Sequence, residues 1–386
     1  MRDSKTMTEQ TNQQIQEYVD WLLKHSDAER PRWNQELIRK GTSNKWNYID
    51  GCMITAILAL YEITGRERYY SFAKSFVDAF IQEDGTIRTY DVGEYNLDNV
   101  NTASNLFYLY RKSGEEKYKK ALALVRSQLD GMPRTKEGSF WHKAIYPNQV
   151  WLDGLYMAQP FYERYETTFC KMEKCCDVLL QFQNVEKHLK DPNTGLYYHG
   201  YDESREMYWA NPETGCSANF WLRAIGWFCL ALVETADATD ETLYFEKRYY
   251  QRLLENLVDA LAPYQDESGM FYQVVDRKDA EGNYLETSGT ALIAYAILKA
   301  VRLHFLVPRY REMGERAFLG IVEKYLSKNE DGTLKLSGIC LVAGLGGKDH
   351  RDGSLSYYFS EPIVENEAKG IAPFLLAYTE MLRLNA

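Results

Sequence analysis

Long, almost unbroken apolar runs alternate along this chain with stretches in which apolar residues recur only every third or fourth position. Runs such as Met53-Ile-Thr-Ala-Ile-Leu-Ala-Leu-Tyr and Ala291-Leu-Ile-Ala-Tyr-Ala-Ile-Leu read as helices buried on nearly every side. The other kind, such as Tyr118-Lys-Lys-Ala-Leu-Ala-Leu-Val-Arg-Ser-Gln-Leu, carries one apolar stripe and a charged back, so it reads as a helix with one face in water. Such half-exposed helices are predicted over 11–25, 67–82, 114–130, 168–190, 241–262 and 309–327. Each is followed by a buried helix of about four turns, which opens just after a Gly, Asn, Asp or Glu cluster. The six openings are Tyr48-Ile-Asp-Gly-Cys, Asn96-Leu-Asp-Asn-Val, Trp151-Leu-Asp-Gly-Leu, Phe220-Trp-Leu-Arg-Ala, Glu286-Thr-Ser-Gly-Thr and Val364-Glu-Asn-Glu-Ala.

Six inner/outer pairs, with no competing run of alternating strand pattern, predict an all-α closed toroid of helical hairpins, an (α/α)6 barrel. The openings at residues 48, 96, 151, 220, 286 and 364 are unevenly spaced, which fits a barrel with long loops better than a regular TPR-like solenoid. The hairpin pattern runs through residues 1–386 without a Pro/Ser-rich linker, so one domain is expected. If the inner helices are parallel, their N-termini share one face. Unpaired N–H groups and positive dipole ends there favour an anionic ligand.

A net charge of −10 argues against nucleic acid or an anionic membrane surface as partner, since both require a basic footprint. A small acidic ligand needs only a local cluster of donors. Seven cysteines, an odd number without a Cys-x-x-Cys pair, read as reduced thiols and not as a disulfide framework or zinc site. The first ten residues contain no apolar signal segment and no later run approaches a membrane span, so a cytoplasmic protein is expected. No His-x-x-x-His, calcium loop or nucleotide fingerprint occurs, and neither metal nor cofactor is expected.

Asp98 and Asp153 stand out among the acids because each falls in the first turn of an inner helix, where the plain alternative is a cap or dipole partner. Two acids at one mouth equip a site to protonate one atom of a sugar and activate water toward another. Burial beside Trp151 is expected to raise the Asp153 pKa and keep it protonated near neutrality. Aromatics make up 14% of the chain. Most must be packing, but Trp46, Trp151, Trp209, Trp221 and Trp227 lie at or beside the helix openings, where an indole face can stack on a sugar.

The string Phe140-Trp-His-Lys-Ala-Ile-Tyr-Pro-Asn-Gln-Val-Trp-Leu-Asp-Gly-Leu-Tyr-Met-Ala-Gln-Pro-Phe resembles the signature of the unsaturated rhamnogalacturonyl hydrolases, glycoside hydrolase family 105. So do Glu94-Tyr-Asn-Leu-Asp-Asn-Val-Asn, Gly195-Leu-Tyr-Tyr-His-Gly-Tyr-Asp, Trp221-Leu-Arg-Ala-Ile-Gly-Trp and the segment from Ala343-Gly-Leu-Gly-Gly through Arg351-Asp-Gly-Ser-Leu-Ser-Tyr-Tyr. The resemblance implies the same barrel and removal of a 4,5-unsaturated uronic acid from a lyase-generated oligosaccharide by hydration of its enol ether. It implies that Asp153 is the general acid/base and Asp98 the second acid. His142, His199, Arg223 and Trp227 match sugar-site positions, with Trp151 between the histidine and the acid. Trp46 and Tyr48 precede the first inner helix in a comparable place, and the glycines Gly346 and Gly347 read as a loop whose N–H groups approach the substrate carboxylate.

Three other readings compete. One is an unsaturated glucuronyl hydrolase of the sister family 88. Another is an epimerase or inverting endo-glycosidase on the same barrel. The last is a helical scaffold or sugar-binding module without turnover.

Overall fold

The computed structural model describes residues 7–384. Its helices are α1 (Glu9–Lys24), α2 (Gln35–Lys40), α3 (Tyr48–Thr64), α4 (Glu67–Asp78), α5 (Asp98–Asn101), α6 (Ser104–Ser113), α7 (Glu116–Asp130) and α8 (Leu152–Phe169). They continue as α9 (Cys175–Leu189), α10 (Leu222–Ala238), α11 (Tyr244–Leu261), α12 (Thr287–Arg302), α13 (Arg311–Tyr325), α14 (Leu355–Ser360) and α15 (Ala368–Leu384). The inner ring is α3, α5/α6, α8, α10, α12 and α15, each packed on the next, with α15 returning to α3. Helices α1, α4, α7, α9, α11 and α13 form the outer layer, which completes the (α/α)6 barrel. Buried side chains from Ile15 to Met381 make one contiguous core.

The inner helices are parallel, because their first turns meet one another and so do their last. At one end Arg223 of α10 donates to Ser288 of α12; at the other, Lys299 of α12 donates to Glu234 of α10, and Arg302 pairs with Glu380 of α15. Helices α10 and α12 approach closely through small residues. A Cβ on Gly289 would lie 2.4 Å from Leu222 Cγ, and one on Gly226 would lie 2.8 Å from Leu292 Cβ. Gly289→Ala gains helix propensity of roughly 1 kcal/mol but forces these two helices apart at an overpacking cost of about 1–3 kcal/mol. The expected outcome in a thermal melt is a lower Tm; a rise would show that the contact relaxes freely.

One predicted inner helix is broken. Asp98–Asn101 and Ser104–Ser113 are separated at Thr102, whose hydroxyl donates to Asn47 O at 2.7 Å, while Asn105 Nδ2 reaches Gly51 O at 3.0 Å. Side chains that bond neighbouring backbone compete with the helix ladder, and here they fasten α5 to α3. The ring closes through several bonds between the two ends of the chain. Trp33 O accepts from Ala368 N at 2.8 Å, Glu367 Oε2 from Gln35 N at 2.8 Å, and Asn366 Oδ1 from Tyr18 Oη at 2.5 Å.

Strands are few and short among the described residues. β1 (Gln149–Trp151) pairs antiparallel with β2 (Gly200–Asp202), β3 (Leu326–Lys328) with β4 (Leu334–Leu336), and β5 (Ile339–Cys340) with β6 (Ile363–Val364). The first and third pairs lie at the end of the barrel where the inner helices begin. No described helix is long and apolar enough to cross a membrane.

Candidate active site

Three short backbone pairings assemble the site. The segment before α5 bridges Asn96 to Lys143, with Leu97 N donating to His142 O at 3.2 Å, so the 140–151 loop is carried across the head of α5. His142 N in turn donates to Gln149 O at 2.8 Å, and β1 leads directly into α8. The β1–β2 pair sets Trp151 opposite Gly200, and Leu152 N donates to His199 O at 3.0 Å. His142 and His199 are thereby held on either side of Trp151. His142 stacks on the indole at 4.6 Å and 14°, and His199 meets it edge-on at 5.5 Å and 66°.

Each histidine faces one acid. His142 Nε2 lies 3.4 Å from Asp98 Oδ1, and His199 Nε2 lies 3.4 Å from Asp153 Oδ2. Both carboxylate side chains retain 15% exposure, while His142 and His199 are 3% and 0% exposed. Asp153 Oδ2, His199 Nε2 and His142 Nδ1 are buried without a hydrogen-bond partner. Asp50, the acid that opens the first inner helix, is the opposite case. It accepts from Trp33 at 2.8 Å, Asn44 at 2.7 Å and Asn47 at 2.9 Å, and belongs to the framework.

The expected elevation of the Asp153 pKa is not found. Burial, the largest single influence, pushes it up, but His199, His142 and a backbone N–H together outweigh burial and hold the carboxyl below the usual aspartate range. Burial pushes His142 down to about 4, against the opposing pull of Asp98, so near neutrality this ring is uncharged. The expectation weighed the desolvation of Asp153 but not the histidine that strand pairing brings to it.

Lys143 joins the site without a signal in the sequence. Its ammonium lies 2.6 Å from Asp98 Oδ2, and although burial pushes its pKa down, the Asp98 charge outweighs this and holds it above the usual lysine value. In an extended segment neighbours point to opposite sides; the turn after His142 lets both residues meet Asp98, which sequence spacing does not reveal. Tyr358, from the late Ser-Tyr-Tyr segment, contacts His199 Nδ1 at 2.8 Å and so orients that ring. Tyr146 stacks on Trp151 at 5.1 Å.

The remaining candidates divide. Tyr48, the first residue of α3, stands edge-on to Trp227 at 6.5 Å, and its phenol feels the charges of Asp98, Asp153 and Arg223. Trp227 also stacks on Tyr156 at 5.0 Å. Arg223 is 1% exposed and its fork is largely spent within the protein. It donates to Cys340 O at 2.5 Å, Ser288 Oγ at 3.2 Å and Leu341 O at 3.5 Å, and lies 4.9 Å over Trp221. In this arrangement it clamps the 339–341 segment to α10. Trp46 is packed as framework, its indole donating to Asn99 O at 2.9 Å beside Phe80. Gly346 and Gly347 take left-handed conformations, φ 67° and 78°. The Gly346 N–H is committed to Arg351 O at 2.7 Å, contrary to the expected free donor. The loop they form packs its Leu345 against Trp151 and Trp209. No cluster of three or more His, Cys, Asp or Glu among the described residues is arranged to hold a metal.

A family model described as Glycosyl Hydrolase Family 88 matches residues 7–385. Among solved structures, a glycoside hydrolase from family 105 of C. acetobutylicum ATCC 824 superposes with a TM-score of 0.86 at 45% identity, covering 90% of this chain and 97% of that one. Protein Atu3128 of Agrobacterium fabrum is 40% identical over 235 residues, 59% of this chain and 99% of its own length. The unsaturated rhamnogalacturonyl hydrolase YesR of Bacillus subtilis is 28% identical over 285 residues, 72% of this chain and 77% of its own length.

Proposed function

The chain belongs to the glycoside hydrolases of families 88 and 105, and from that premise we propose that it removes a 4,5-unsaturated galacturonic acid from rhamnose at the non-reducing end of lyase-generated oligosaccharides. The observation that carries this reading is the pair of acids at the heads of α5 and α8, each facing a buried histidine at 3.4 Å across Trp151. Asp98, 2.6 Å from the Lys143 ammonium, orients sugar hydroxyls. Asp153 supplies the proton.

In the free site Asp153 is a carboxylate held low by His199. A bound uronate brings a second negative charge and excludes water, and both favour the protonated form. Asp153 then gives its proton to C4 of the C4=C5 bond, and the positive charge that develops at C5 is shared with the ring oxygen. Water adds at C5 and its proton returns to Asp153. The resulting hemiketal opens to a C5 ketone, and the hemiacetal left at C1 releases the leaving sugar. Trp151, covered by His142, Tyr146 and Leu345, holds the two histidines in place beside the acids, and the converging N-termini of the inner helices favour the uronate charge.

The pH dependence follows from the sign of the shift. The profile of kcat/KM reports the free enzyme and that of kcat the complex. Activity that needs protonated Asp153 falls as pH rises through its pKa, and that pKa is low in the free site and higher with substrate bound. The alkaline limb of kcat/KM is therefore expected at lower pH than that of kcat. Coincident limbs, or the reverse order, would remove the substrate-driven protonation.

The reaction itself is tested by following the loss of near-ultraviolet absorbance of the conjugated enol with unsaturated galacturonyl-rhamnose and, in parallel, unsaturated glucuronyl disaccharides. Turnover of the first at the higher kcat/KM is expected. Preference for the second would reassign the substrate within the same chemistry, and loss of neither would leave a binding module.

A further inference from the structure

The catalytic chemistry sits where the inner helices begin; where they end, the barrel holds a second cavity of about 750 Å3 to which all six members of the inner ring contribute. The two chambers are parted by a ring pair. Tyr156 lines the lower cavity and stacks at 5.0 Å and 12° on Trp227, whose neighbour on the catalytic side is Tyr48.

The charged groups of the cavity decide what fits it. Glu62, Glu234 and Asp237 are balanced by Arg111, Arg164 and Lys299. Lys299 is fully engaged, 2.8 Å from Glu234 and 2.9 Å from Asp237, and Arg111 lies 3.6 Å from Glu62 and over the Tyr108 ring. The guanidinium of Arg164, half-buried on α8, has neither a hydrogen bond nor an ion pair among the described residues, although Asp237 feels its charge. The C-terminal carbonyls of the inner helices add partial negative charge around the rim. An anion therefore gains no net attraction here, and a cation meets an unpaired arginine.

A neutral ligand rich in hydroxyls meets neither obstacle. The wall also carries Thr55 and Thr167, whose hydroxyls donate to backbone carbonyls and are left to accept, and the half-buried rings of Tyr108 and Phe169 offer faces to an apolar C–H surface. The volume falls within the range of small-ligand sites, about 300–1,000 Å3. We propose that this cavity binds a neutral mono- or disaccharide, its hydroxyls held by Arg164 and the Glu62 and Asp237 carboxylates and one ring face against Tyr108.

Ligand-observed NMR and calorimetry with L-rhamnose, D-galactose and cellobiose, and D-galacturonate as the anionic control, test this on the whole protein. Two variants accompany wild type. Arg164→Ala removes the free donor, and Ala59→Trp fills the cavity from a half-exposed position on α3 without removing a polar group. Saturable binding of at least one neutral sugar is expected, weakened about tenfold by Arg164→Ala, the loss of a charge-assisted hydrogen bond, and abolished by Ala59→Trp. Only binding lost in Ala59→Trp is assigned to this cavity; absence of saturation up to about 50 mM sugar, binding indifferent to both substitutions, or galacturonate bound as well as the neutral sugars in a way that Ala59→Trp abolishes would each overturn the proposal. Binding is read without turnover, so the outcome is independent of the reaction assigned to the other end.

Discussion

Asp153→Asn is expected to lower kcat by about 10²–10⁴-fold, the range of a lost general acid/base, with KM changed little. The amide keeps the shape of the carboxyl at the head of α8 but has no proton to give to C4 and cannot take one back from water. The site around it is fixed by backbone pairings that the substitution does not touch: Leu152 N to His199 O, and Trp151 opposite Gly200. Folding is therefore expected to survive. In wild type His199 holds Asp153 below its ordinary pKa, so near neutral pH the native carboxylate gains from that contact and the amide does not. A modest loss of Tm is thus compatible with the prediction, whereas normal turnover in the variant would falsify the mechanism. Single-turnover loss of the enol absorbance separates a slowed proton transfer from slowed product release.

Arg223→Ala is expected to produce the largest loss of stability, about 3–5 kcal/mol, the cost of breaking a buried charged network by removing one member. The guanidinium satisfies Cys340 O and Ser288 Oγ in the interior and lies beside Glu286, a fully buried carboxylate. Glu286 caps α12 through Ser288 N and Gly289 N and also receives Cys340 N at 3.0 Å. Removing the arginine takes a buried charge away from that acid and leaves Cys340 O, Leu341 O and Ser288 Oγ without this donor. It also frees the 339–341 segment that leads into the Gly346–Gly347 loop behind Trp151. The urea midpoint should fall strongly, with activity lost in proportion to folded protein and to loop order. A variant of native stability whose only defect is a raised KM would instead make Arg223 a substrate contact.

The ring of helices was legible because fully apolar runs and striped runs differ in how many sides they bury. Every predicted inner and outer helix has its counterpart in the structure, most with bounds shifted by up to four residues, although the outer helix predicted from 168 begins at Cys175, because residues 168 and 169 still belong to α8. The break at Thr102 was not legible, because it depends on Asn47 and Gly51 of a different helix accepting from Thr102 and Asn105. The first turns of the inner helices were readable as the place where Asp98 and Asp153 stand. The histidines that face them are placed by β1 and β2, three residues each, too short to leave an alternation in sequence. For the same reason Lys143 went unassigned, and Trp46, whose address beside a helix opening is the same as that of Trp151, turned out to face Phe80 and the backbone of α5.

Closure of the ring between α3 and α15 has a consequence for how the protein is made. The apolar flank of α3 that α15 covers emerges from the ribosome well before its partner does. With roughly 320 residues between Tyr48 and Ala368 and elongation at about 5–20 residues per second, that flank waits on the order of 15–60 s. During this interval the nascent chain is an open arc of helical hairpins with two sticky ends, one on α3 and one on the newest helix. An arc that has not yet closed on itself leaves both of these ends open to a neighbouring arc on the same message. Slow synthesis or crowded polysomes should therefore favour mixed-chain assemblies, with the Trp33–Ala368 and Tyr18–Asn366 contacts made between two copies of the chain.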